Sequence, residues 1–147
     1  MTDAASNAEI AERLGRRRAR LFLILGLFLV IQQSAYFTHG DGRRLVDHVQ
    51  IGAWVAMSAV VLLVLITGGF WFRSPELRAM LNDESTRANR AAALGIGFVC
   101  AMITGMVLFV LQSVWAFSPG EVIHLIVTVG LFAALFRFSI LERRGLG

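Results

Sequence analysis

Residues 91–117 read AAALGIGFVCAMITGMVLFVLQSVWAF and contain no charged side chain. A run of about 18 or more apolar residues is long enough to cross a hydrocarbon core of about 30 Å. With no water there to bond the backbone, a single segment satisfies its own amides only as a helix. The stretch therefore predicts a transmembrane helix. Working outward from it, three further apolar runs appear, so that spans are expected at about 21–38, 48–72, 90–117 and 120–141. The expected fold is all-α: an integral membrane, antiparallel four-helix bundle, up-down-up-down, forming one domain over 21–142. A basic, partly helical tail (1–20) precedes it and a short tail (143–147) follows.

Composition agrees. The chain has 147 residues, 56% hydrophobic and 16% charged, against roughly a quarter charged in soluble domains, and its mean hydropathy is +0.68. The short connections leave no room for a soluble catalytic domain. The formal charge of +4 is carried by arginine alone, and its placement argues for a membrane rather than nucleic acid. Arg13, Arg16, Arg17, Arg18 and Arg20 precede the first span. Arg73, Arg78, Arg87 and Arg90 lie between the second and third, and Arg137, Arg143 and Arg144 end the fourth. Only Arg43 and Arg44 fall on the other side. Because cytoplasmic loops accumulate Lys and Arg, both termini are expected in the cytoplasm, with the protein in the inner (plasma) membrane. The first cluster should contact anionic lipid headgroups. Gln33 is a poor residue for the −3 position of a signal-peptidase site, so the first span is read as retained.

Helix-start signals organise the polar segments. Ser6-Asn7-Ala8-Glu9 and Ser118-Pro119-Gly120-Glu121 fit the capping box, in which Ser and Glu satisfy each other's orphan amides. Asp47 is placed to cap the second helix, which could extend to Phe72, and the third span is expected to end near Phe117. Ser74-Pro75-Glu76 starts a short helix whose Leu77, Met80 and Leu81 suit the membrane surface. Asp83 to Arg90 then reads as a capped, solvated helix start, with Asp83 and Arg87 paired four apart. Tyr36, Trp54 and Trp115 are expected near the outer boundary, and Trp71 and Phe72 near the inner one.

The segment LNDESTRANR, Leu81 to Arg90, between the second and third of four spans resembles one found in small prokaryotic four-span membrane proteins of uncharacterised function. Those carry an Asp-Glu followed by Thr and basic residues before the third helix. The resemblance implies the four-span layout and brings no functional residues with it.

Polar residues recur near the expected outer ends: Gln32 and Gln33, His48 and Gln50, Gln112 and Ser113, Glu121 and His124. Two stripes of small residues, His48-Gly52-Ala56-Ala59 and Gly97-Ala101-Gly105-Leu108-Gln112, suggest helix contacts. Together with the seven-residue spacing of Gly26 and Gln33, they predict that Gln33, His48 and Gln112 point into the bundle. Gln33, His48, Gln112, Glu121 and His124 are thus the candidate ligand-binding residues, although the capping box already accounts for Glu121. Glu121-x-x-His124 has the spacing of di-iron bundles, but those need two copies and two more carboxylates. His48 and His124 could instead hold haem, or zinc with Glu121. Cys100 stands alone, which excludes a cysteine-pair chemistry. No catalytic residue, metal or cofactor is expected. The leading expectation is a non-enzymatic accessory, scaffold or regulatory bundle, working as a homo-oligomer or within a membrane complex. A small-ligand binder or transporter, and a haem- or metal-binding protein, are the alternatives.

Overall fold

The computed structural model describes residues 13, 14, 16, 17, 20–33, 45–68 and 84–145. Over these residues the chain is helical, with α1 at Arg20–Gln33, α2 at Leu45–Thr67, α3 at Glu84–Leu111 and α4 at Pro119–Gly145. Three of the helices, α2, α3 and α4, are long and apolar enough to cross a membrane. As described, α1 rises only about 20 Å, and the rest of its expected span (34–38) lies outside the described residues. So do Arg18, the Ser6 capping box, Asp83 and the surface helix expected after Ser74.

The helix ends depart from expectation for local reasons. The part of the expected second span from 69 to Phe72 lies outside the described residues; α2 ends at Thr67, where Gly68 adopts φ 85°. Its N–H bonds Val64 O at 2.8 Å, a left-handed cap that glycine enters without a Cβ penalty. In the same way α3 stops at Leu111 and not near Phe117. There the Val114 and Trp115 amides both turn back onto Leu111 O, while the Ser113 hydroxyl donates to Val110 O at 2.7 Å. A short hydroxyl side chain competes with the ladder in this way. α4 begins at the expected box: Ser118 N–H donates to Glu121 Oε2 at 2.7 Å and Glu121 N–H to Ser118 Oγ at 3.3 Å.

α4 is the hub. The largest contact is with α3, and α2 also packs on it. A Cβ built on Gly97 would lie 2.7 Å from Gly130 O and 2.8 Å from the Ala134 Cβ, and one on Gly130 3.0 Å from the Ala101 Cβ. Small residues therefore let the α3 and α4 backbones touch. On the other flank, Gly26 of α1 admits the Phe132 ring, and Phe22 meets Phe138 edge-on with ring centres 5.0 Å apart. Leu29, Val61, Leu65, Ala93, Leu131, Ala134, Leu135 and Phe138 complete a buried apolar core. In lipid this core gains little from hydrophobic transfer, since acyl chains are equally apolar. Close dispersion contact is what holds it.

Candidate functional site

α2 turns toward the hub by its bulky stripe. Trp54, Ser58, Val61 and Leu65 recur at four, three and four residues, and all four are buried. Consequently the small-residue stripe His48-Gly52-Ala56-Ala59 lies on the opposite, exposed face. The expectation that His48 points into the bundle is thereby corrected, and a Cβ on Gly52 would meet nothing within 4 Å. Trp54 decides the rotation because its large indole gains far more dispersion contact than three small residues could. On α3 the expected stripe does face α4 through Gly97, Ala101 and Gly105. Gln112 does not continue it: the helix has already ended, and the side chain is exposed.

Gln33 and His124 are brought together. Gln33, the last residue described in α1, and His124, in the second turn of α4, are both buried. His124 Nδ1 hydrogen-bonds Gln33 Oε1. Thr128, one turn along α4, donates its hydroxyl to the same oxygen at 2.8 Å. Trp54 Nε1–H donates to Thr128 Oγ1 at 3.3 Å, and the Trp54 and His124 rings stack with centres 3.9 Å apart and planes 21° from parallel.

The proton positions follow from the donor inventory. An indole N–H only donates, so Thr128 oxygen accepts it and sends its own proton to Gln33. With Gln33 oxygen accepting twice, His124 is assigned as the Nδ1–H tautomer from this network. Gln33 Nε2 is left buried with no hydrogen-bond partner, as is Ser58 Oγ one turn along α2 from Trp54. The arrangement is a four-residue clasp joining α1, α2 and α4. Trp54 and Thr128 are the members that sequence reasoning missed. The i,i+4 spacing of His124 and Thr128 put both on one face, but only Trp54's rotation toward them makes the pair a site.

A second polar group closes the arginine-rich end. Thr86 of α3 donates to Glu142 Oε1 of α4 at 3.3 Å, and Arg90 Nη1 donates to Ile66 O in the last turn of α2 at 3.1 Å. Arg90 is only 8% exposed. A cation there answers the partial negative charge of the α2 C-terminus. The expected solvated helix start is thus corrected in part: Glu84, Ser85 and Arg87 are exposed, whereas Thr86 and Arg90 are buried. Arg13, Arg16, Arg17 and Arg20 are exposed. Glu121 is half-buried and engaged with Ser118.

Among the described residues no three of His, Cys, Asp or Glu gather closely enough to hold a metal ion. His48 is exposed on α2 while His124 is buried in the clasp. No family model, curated protein or solved structure matches the chain.

Proposed function

We propose that this protein is a non-enzymatic, four-span bundle of the bacterial inner membrane that acts as an accessory or scaffold to other membrane proteins. Both termini lie in the cytoplasm, and Arg13, Arg16, Arg17, Arg18 and Arg20 rest on anionic headgroups. The observation that carries the reading is how the polar side chains are disposed. They hydrogen-bond across helices at the two ends, to one another and, for Arg90, to the Ile66 carbonyl, and between the ends the core is an apolar plug of Leu29, Val61, Leu65, Leu131, Leu135 and Phe138, all no more than 9% exposed. A carrier coupled to protons needs a group at depth that can take up and release one, and the charged side chain beside this plug among the described residues, Arg137, stays protonated. Meanwhile α3, packed almost wholly on α4, turns Phe98, Met102, Met106 and Phe109 outward.

The up-down-up-down order is supported by contacts that run oppositely in number. Gln33 meets His124 while Phe22 meets Phe138; Gly105 nears Ile126 while Thr86 meets Glu142. The arginine asymmetry supports N-in and C-in.

Two measurements test this. Cysteines added at either terminus should react with a membrane-impermeant maleimide only after cells are opened; labelling of intact cells would refute the orientation. Crosslinking in native membranes, followed by mild extraction, should give a discrete assembly larger than one chain. A lone monomer from both would remove the scaffold reading.

A further inference from the structure

One charged group finds no place in either polar cluster. Arg137 lies well inside α4, about 12 Å of helical rise before Gly145, and is half-buried. Its Nε is buried with no hydrogen-bond partner, and among the described residues no carboxylate pairs with it. An arginine at such depth demands a counter-charge or water. The side chain shares a stripe of α4 with Ile126, Gly130 and Ala133, at spacings of four, three and four. This stripe borders the seam where Gly130 touches Ala101 and a Cβ on Gly105 would meet the Ile126 side chain at 3.4 Å. Farther along the seam is an open apolar groove of about 540 Å³, lined by residues including Ala101, Met102, Gly105, Met106, Phe109 and Ile126. From Arg137 to Ile126 the rise is about 16 Å, roughly half of a 30 Å hydrocarbon core.

We infer that the α3–α4 seam binds one anionic phospholipid, its phosphate on the Arg137 guanidinium and an acyl chain laid along the seam into the groove. The charge is complementary, and the guanidinium fork matches two phosphate oxygens. The long stem lets the head reach the phosphate from within the apolar layer. The groove continues the seam at the distance an extended acyl chain covers from its own headgroup. This site is separate from the exposed tail arginines and holds whether or not the bundle is a scaffold.

The test uses the full chain extracted in mild detergent, with phosphatidylglycerol and phosphatidylcholine as probes and native mass spectrometry as the readout. The wild type should retain one phosphatidylglycerol in preference to phosphatidylcholine. Arg137→Gln should lose that retention about tenfold, and Arg137→Lys, which keeps the charge, should lose less. Gly105→Leu fills the groove without changing charge, and should lower retention while circular dichroism confirms an intact helical fold. Equal retention by wild type and Arg137→Gln overturns the site, and unchanged retention in Gly105→Leu overturns the chain's seat in the groove. Displacement of the lipid by excess inorganic phosphate would reassign Arg137 to a free anion.

Discussion

Gln33 shows what a single amide does at a helix junction. Its oxygen accepts from both His124 and Thr128 while its nitrogen stays buried and unmatched. Thr128→Val deletes the hydroxyl that links Trp54 to Gln33 and leaves the indole N–H without an acceptor. A buried donor stranded this way costs about 1–3 kcal/mol in water-soluble proteins, yet interhelical bonds in membranes average only about 0.6 kcal/mol and reach about 1.7. The membrane figure governs here. The expected loss is about 1 kcal/mol in a denaturation titration, with a shifted Trp54 emission; a loss well above about 2 kcal/mol would mean that the stranded donor, not the membrane average, sets the cost. The cap of α4 behaves more simply. Ser118→Ala or Glu121→Ala should each cost about 1 kcal/mol, and the double variant should cost little more than either, because the two residues form one reciprocal box. Full additivity in that cycle would mean the two bonds act independently.

At the scale of elements, the α3–α4 contact is set by backbones that touch. Any side chain at Gly97 must displace Gly130 O, a backbone atom that cannot rotate away. Gly97→Val should therefore separate the helices and lower the thermal midpoint by many degrees. Gly52→Ala and Gly95→Ala, whose added methyls meet nothing, should leave it unchanged or slightly raised, since alanine is the better helix former. Thermal scans of the three variants check the contrast, and a tolerated Gly97→Val would contradict the close approach. Gly68 poses a different constraint. Its left-handed φ penalises a side chain there, and Gly68→Ala should cost about 1 kcal/mol.

Over the described residues, two polar fastenings are separated by an apolar plug. The clasp holds α1, α2 and α4 at one end; Thr86, Arg90 and Glu142 tie α2, α3 and α4 at the other. Among the described residues no chain of polar groups crosses Leu131, Leu135 and Phe138. Purified protein in liposomes should therefore leave proton and potassium permeability at the level of empty vesicles, measured with an entrapped pH dye and a valinomycin control. A flux above that level would require the plug to open and would revive the transport reading.

Much of this was legible from residue order alone, because a bilayer imposes long-range rules on short-range pattern. Apolar length placed α2, α3 and α4, Ser118 to Glu121 announced the start of α4, and Gly97-Ala101-Gly105 marked the face of α3 that meets α4. Those signals are local: each depends on residues within a few turns of one another. What the tertiary structure alone decided is rotation and termination. Trp54 outweighs the small-residue stripe and turns His48 outward, Gly68 stops α2, and Arg90 leaves water to cap a helix that precedes its own. Periodicity gives the angle between residues on one helix but not the direction that helix faces, and the direction is chosen by the sum of contacts with three neighbours.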